Sequence, residues 1–210
     1  MQKIDKEASE HLAHIIKARR DIRGNNFISK KIPKKSIEQI IEAGLNAPSV
    51  GYSQPWKFVI IEEDTIKEKV YQNFVKEYDK SKKHFKDRPM YEQLKLEGIK
   101  ETPINIAVFY KKSSSKILGQ TSQKKMGEYS VVCAIQNMWL MARSLNIGMG
   151  WVSILKPKKI KKILDVSDKY KLVSYLCVGY VKEFPQEPEL EKLQWKKKKK
   201  YKEIVSWIKD

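Results

Sequence analysis

Three short segments carry residue types whose spacing suits chemistry on an anionic ligand. The first is Arg19-Arg20-Asp21-Ile22-Arg23, with three guanidiniums in five residues. Such a cluster is costly to hold together unless an anion neutralises it, and arginine's planar fork matches a phosphate or a carbonyl edge. With Asp21 as internal counter-ion, the segment reads equally well as a solvated charged turn. The second runs NAPSVGYSQPW from Asn46 to Trp56. Pro48 and Pro55 fix its backbone, Gly51 permits a close approach, and Ser49, Ser53 and Gln54 offer polar contacts. Any helix-to-strand turn uses Pro and Gly, but polar groups this dense beside an aromatic residue suit a pocket wall. The third is GMGWVSI, Gly148 to Ile154. Its two glycines let a ligand ring lie against the backbone, and Ser153 places a hydroxyl at a strand end. Alone, it is equally a glycine-stopped helix followed by a buried strand.

The elements that must position these segments follow from periodicity. Leu12, Ile15 and Ile16 predict a helix over 6–18 that ends in the arginine cluster. A second helix starts near Pro33, carries the stripe Ile37, Ile40, Ile41 and Leu45, and stops at Pro48. Residues 57–62 read as a strand and 65–79 as a helix. A basic, irregular connection over 80–90 and a short amphipathic piece over 91–99 come next. A strand over 104–110 precedes a polar loop over 112–124. The longest helix, 126–145, is apolar on most faces, which suits a core or a subunit interface. Asn146 to Gly148 supplies its stop. A strand over 149–155, a short helix over 157–164 and a strand over 172–181 complete the order. Past Pro185 and Pro188 the chain becomes an arm, 185–210, with a final helix at 202–208. No repeat or linker divides it, so residues 1–210 read as one α+β domain whose arm embraces a partner.

Composition narrows the function classes. The chain has 210 residues, 41% hydrophobic and 32% charged, enough to bury a core. No apolar run approaches the ~20 residues of a membrane span, and the charged N-terminus has no signal core. The cytoplasm is the expected location. Cys133 and Cys177 sit in apolar stretches and read as core thiols, while the three histidines find no third ligand, so no metal is expected. The net charge of +18 is carried almost wholly by lysine. Only Arg19, Arg20, Arg23, Arg88 and Arg143 are arginines, whereas base-reading surfaces favour arginine forks. Anionic ligands are favoured; a nucleic-acid partner is not expected.

In their order, the three segments resemble the nitroreductase family: an arginine-rich opening, the APS…QPW turn, and a late glycine-containing strand beside a flavin ring. RRDIRG, NAPSVGYSQPWKFVII, YEQLKLEGIKETPINIAVF, GEYSVVCAIQNMWLMARSLNIGMGWVSIL and YLCVGYVKEFPQEPELE look most like one branch of it. That branch fragments reduced FMN to 5,6-dimethylbenzimidazole, the lower ligand of cobalamin. RRD rather than RRS, and GWVSI in place of a proline-glutamate-glycine turn, are its marks. The resemblance covers roughly residues 15–195.

It implies a nitroreductase-like fold: a mixed central sheet flanked by helices, in a domain-embracing homodimer with two FMN sites at the interface. Residues 131–145 would form the dimer helix and 80–100 a lid over the flavin. Reduced FMN would be the substrate, dioxygen the co-substrate and erythrose 4-phosphate the other carbon product. NAD(P)H would act through a separate flavin reductase. Asp21 would accept a proton near the ribityl chain, kept ionised by its arginines, and Ser153 would stand at the reactive flavin edge. Arg19, Arg20 and Arg23 would hold phosphate and ring carbonyls. Ile22, Pro48, Ser49, Gly51, Gln54, Leu94, Leu96, Trp151 and Ile154 would line the flavin. The departure is Gln194-Trp195 followed by Lys196 to Lys200, where the family has Gly-Trp and then arginines. By spacing, Lys198 takes the phosphate role as a point charge without the fork; the run is equally a solvated tail. The shared scaffold leaves two other readings open. One is an NAD(P)H-dependent reductase of nitro compounds, quinones or halogenated phenols. The other is a flavin-binding protein without turnover, against which Asp21 and Ser153 together argue.

Overall fold

The computed structural model describes residues 3–208. Helix α1 (Lys6–Ala18) starts where the Asp5 carboxylate accepts the Ala8 amide proton at 2.7 Å, satisfying one of the free first-turn N–H groups. Helices α2 (Lys34–Leu45) and α3 (Asp64–Lys82) bracket strand β1 (Trp56–Ile61). Strand β2 (Ile104–Lys111), helix α4 (Met126–Ser144), strand β3 (Ile147–Val152), helix α5 (Pro157–Ile163) and strand β4 (Tyr170–Tyr180) follow. Two single-turn helices, α6 (Glu189–Lys192) and α7 (Tyr201–Ile204), lie in the arm. The final helix is thus shorter than the 202–208 expected, because Val205 turns to extended backbone.

The strands form one sheet in the order β1-β2-β4-β3, and all three ladders are antiparallel. This corrects the expected mixed sheet. β2 and β3 do run in the same direction, joined by a crossover through α4, but β4 inserts between them and makes each ladder antiparallel. The parallel pairing among the described residues is the isolated bridge of Asp21 to Met149.

Both sheet faces are covered, so β2 is buried along its length up to Tyr110. Ile104, Ile106 and Val108 pack with α2 and α4, and Ala107 and Phe109 pack with α3 and α5, as a side-chain period of two requires. In α4, Val131, Ala134, Ile135, Met138 and Ala142 face the core. Tyr129, Val132, Cys133 and Gln136 form an outward stripe at i, i+3, i+4 and i+7. Cys133 is therefore exposed rather than the core thiol expected, since its helical phase points away from the sheet; Cys177 is fully buried. On α1, Leu12 and Ile16 are each 52% exposed. No described helix is long and apolar enough to cross a membrane.

At the end of α4, Asn146 takes the left-handed turn with φ 56°, a conformation asparagine tolerates better than most residues. Gly148 already lies inside β3, and a Cβ there would collide with the Val181 side chain. Its role is packing rather than stopping the helix.

Candidate active site

Past α1 the chain turns extended at Arg19, with ψ 136°, and lays Asp21 and Ile22 along the edge of β3. The Ile22 amide donates to the Met149 carbonyl at 3.1 Å, and the Ile22 side chain enters the core, 2% exposed. A residue one place on in an extended segment faces the other way, so Asp21 and Arg23 turn to the cleft. Asp21 Oδ1 accepts the Trp151 amide proton at 3.0 Å, and Oδ2 is ion-paired with Arg23. Arg23 also donates to the carbonyls of Trp151 at 3.2 Å and Leu96 at 3.4 Å. The Gly24 amide donates to the Glu97 carbonyl at 2.7 Å. Lys95 in turn pairs with Glu97 at 2.5 Å and Glu101 at 2.8 Å. Residues 95–97 are so pinned against the arginine segment.

The three guanidiniums have separate duties. Arg19 lies over the Trp139 ring at 4.8 Å. Arg20 donates to the Lys17 and Arg19 carbonyls at 2.7 Å each and to the Gln186 carbonyl, a cation placed where the α1 dipole is negative. Arg23 holds Asp21. Arg20 Nε is buried and meets no acceptor among the described residues.

Asp21 departs from what its neighbours suggest. Burial raises its pKa above the usual aspartate range, and this outweighs Arg23, the Trp151 amide and Arg19, which all lower it. The direction is opposite to what the neighbouring arginines alone would give, because desolvation penalises the charged form more than they stabilise it.

A cleft of about 650 Å³ opens here, lined by Asp21, Ile22, Arg23, Asn25 and Asn26 on one side and by residues of 183–193 on the other. The second wall was not read from the sequence. Its signal lay in FPQEPELE, whose Pro185 and Pro188 fix a turn that presents Gln186 and Glu189. Arg143 lies 3.9 Å from the Phe184 ring centroid and donates to the Ala18 carbonyl at 3.2 Å. These contacts tie the wall, α4 and the end of α1 together. The lysine lining the cleft is Lys192. Lys198 is exposed, its amide donating to Glu191 at 3.4 Å.

Trp151 packs against Trp139 with ring centroids 6.5 Å apart. Ser153 follows β3 and is exposed, its carbonyl accepting the Leu155 amide proton at 2.9 Å; Ile154 is half-buried. Gly150 does not open the backbone to a ligand ring. A Cβ there would fall on the Ile22 carbonyl oxygen, so glycine is needed for the chain's own segment 19–23 to seat on β3. Leu94 is buried, and Leu96 is half-buried against the α3 side of the core.

The Pro48–Gln54 turn lies elsewhere. Gly51, Tyr52 and Gln54 take φ of 54°, 50° and 43°, a run of left-handed residues that must be held by its surroundings. Ser49 Oγ accepts the Gln54 amide proton at 3.1 Å, and Ser130 Oγ accepts that of Val50 at 3.0 Å. The space beside Gly51 is filled by the Leu118 carbonyl and Ile117. This turn feeds β1, one edge of the sheet, whereas Asp21 lies on β3, the other edge. Within one chain the two segments stay apart.

After α3, residues 83–93 form two short turns. Tyr91 stacks on Tyr78 at 5.4 Å and on Phe85 at 4.3 Å, and Trp195 of the arm meets Phe85 at 5.6 Å. Arg88 covers Trp195 at 4.4 Å. The arm is thus stacked on its own chain as far as Trp195. Among the described residues, no group of three or more His, Cys, Asp or Glu side chains could hold a metal.

An antiparallel sheet between two helical layers, with a half-buried carboxylate paired to Arg23 at one edge, is the layout of a flavin-dependent oxidoreductase. The chain belongs to the Nitroreductase family, whose model matches residues 16–180. It is 35% identical over 185 residues to the 5,6-dimethylbenzimidazole synthase of Rhodospirillum rubrum, covering 86% of this chain and 87% of that one. Among solved structures, the fold is similar to a BluB-like flavoprotein from Clostridium difficile, with TM-score 0.71 and 21% identity over 94% of this chain and 99% of that one. It is also similar to iodotyrosine deiodinase bound to FMN and 3-iodo-L-tyrosine, with TM-score 0.68 and 21% identity over 85% and 94% of the two chains.

Proposed function

We propose that this protein is a 5,6-dimethylbenzimidazole synthase, fragmenting reduced FMN with dioxygen to dimethylbenzimidazole and erythrose 4-phosphate for the cobalamin lower ligand. The observation that carries the reading is Asp21, a carboxylate of raised proton affinity fixed by the Trp151 amide and Arg23 at the cleft wall. The 35% identity to the Rhodospirillum rubrum synthase supports it.

The residues present fit a flavin mononucleotide. The cleft of about 650 Å³ falls within the ~300–1,000 Å³ usual for cofactor sites. The buried, unpartnered Arg20 Nε is a donor awaiting an acceptor. Reduced FMN, when bound, supplies the electrons for dioxygen and the carbon skeleton of the product. Arg19, Arg20 and Arg23 hold its phosphate and ring carbonyls, with Lys192 the cleft lysine nearest in kind to the role expected of Lys198. Asp21 accepts a proton from the ribityl chain, its Oδ1 aimed by the Trp151 amide. Ser153 offers its hydroxyl at the flavin edge. Residues 80–100 act as a lid that excludes water, with Leu94 and Leu96 on its inner end. A separate flavin reductase in the cytoplasm supplies the reduced flavin.

The opposite placement of the Pro48–Gln54 turn supports a homodimer, in which Pro48, Ser49, Gly51 and Gln54 of a second copy complete the site. The outward apolar residues of α4 and α1, together with exposed Ile204 and Trp207 of the arm, provide surface for such a partner. Light scattering is expected to give twice the 24.6 kDa chain mass; a stable, active monomer would overturn the dimer. Aerobic incubation with chemically reduced FMN is expected to yield dimethylbenzimidazole by mass spectrometry. No such product, alongside fast NAD(P)H-dependent reduction of nitroarenes, would assign the chain to the reductases instead.

A further inference from the structure

We infer that Trp195 is a positioning residue for the second wall of the cleft: it docks on the turns after α3 and so holds α6, with Lys192, against the cleft. The inference rests on the reading of the cleft as an FMN site.

The wall is fastened where it begins. The Glu183 carbonyl accepts from the Asn26 side chain at 2.8 Å, and the Gln186 carbonyl accepts from Arg20. Beyond Pro188 this fastening stops. Among the described residues, Glu189 to Leu193 make no hydrogen bond outside the arm, and neither Leu190 nor Leu193 joins the two core clusters. Yet α6 supplies Glu189, Lys192 and Leu193 to the cleft lining. Something past its end has to hold it.

Trp195 is placed to do so. The Gln194 amide donates to the Glu191 carbonyl at 2.9 Å, and the Trp195 amide to the Leu190 carbonyl at 2.8 Å. This pair of bonds closes a helix through a left-handed residue, most often glycine. Here that residue is Gln194, with φ 57°, a conformation that a side chain disfavours and that its surroundings must enforce. The closure makes α6 and Trp195 one piece. The half-buried Trp195 ring lies 5.6 Å from Phe85 and 6.1 Å from Tyr91. Arg88 covers its face at 4.4 Å and donates to its carbonyl at 3.5 Å. The platform beneath is itself tied to α3. Tyr78 donates its hydroxyl to the Tyr91 carbonyl at 3.1 Å, and the Ser81 and Tyr91 hydroxyls bond at 2.6 Å. Trp207, further along the same arm, has no such seat and is 74% exposed.

The test titrates FMN and riboflavin by fluorescence on each variant at one ionic strength. Trp195→Ala is expected to weaken FMN about tenfold, as for the loss of one hydrogen bond to a charged group. Riboflavin, which has no phosphate for Lys192 to meet, should stay within about twofold. Lys192→Gln should behave alike, and the double variant should lose no more than either alone. Trp195→Phe should keep FMN affinity, whereas Phe85→Ala, on the other side of the stack, should lose it. Full FMN affinity in Trp195→Ala, equal losses of both flavins, or additive losses in the double variant would overturn the inference. Hydrogen exchange of the ligand-free protein is the second readout. Amides of α6 should exchange about tenfold faster in Trp195→Ala, while those of β3 stay as they are; unchanged α6 exchange would count against the role. If wild type binds neither flavin, the FMN reading fails, and exchange in α6 still decides whether Trp195 holds the wall.

Discussion

Asp21→Asn is expected to keep FMN bound and to lose benzimidazole formation by about 10²–10⁴-fold, the usual worth of a general base. An asparagine oxygen can still accept the Trp151 amide proton and lie beside Arg23, so the wall keeps its shape. What it cannot do is take up a proton. Stability should move the other way. A carboxyl whose folded-state pKa is raised favours the fold fully below its unfolded pKa, and that contribution is lost as pH rises through the folded value. At neutral pH the ionised Asp21 is therefore a net burden. Thermal unfolding at pH 7 should show Asp21→Asn at least as stable as wild type, the difference shrinking in acid. Single-turnover reaction of bound reduced FMN with oxygen reads the chemistry. Ser153→Ala should likewise hold flavin, with oxidation diverted to hydrogen peroxide. Wild-type product yield from Asp21→Asn would remove it from the mechanism.

Gly150→Ala should damage the site without touching any group that bonds a ligand. The new methyl would fall on the Ile22 carbonyl. That carbonyl cannot retreat, because the Ile22 amide is bonded to Met149 and its side chain is buried. Overpacking of this kind costs about 1–3 kcal/mol, and a collision with backbone belongs at the upper end. For a domain of this length, about 3 kcal/mol lowers the unfolding temperature by roughly 6–12 °C. The displaced segment carries Asp21 away from the Trp151 amide, so FMN affinity should fall as well. Parental stability together with parental affinity would mean that residues 19–23 are not seated on β3.

Local periodicity made most of the elements legible. Helix α4 and strand β2 were found within a residue or two because their burial repeats along the chain itself. The guanidiniums of RRD and the hydroxyl of GWVSI could be read as residue types, while the roles assigned to them came from the family resemblance. What could not be seen were the through-space partners. Gly148 and Gly150 look like room for a ligand ring until the strand order brings Val181 and Ile22 against them. The proton affinity of Asp21 is set by burial, which no list of neighbouring arginines reveals. Glu189 and Gln186 were hidden because the FPQEPELE stretch has no repeat to show which way it faces. The separation of the Pro48–Gln54 turn from Asp21 follows from the insertion of β4 between β2 and β3, a property of topology rather than of either segment.

The stacking of Trp195 on the turns above α3 also fixes when the protein can finish itself. Arg88 and Trp195 are 107 residues apart in the chain, and Arg20 and Gln186 are 166 apart. A ribosome adding about 5–20 residues per second needs on the order of ten seconds to cross the shorter interval. Throughout that interval the Tyr78–Tyr91–Phe85 stack lacks its edge contact from Trp195, and the cleft has one wall. A cleft with both walls therefore has to wait until residues 183–193 have been made.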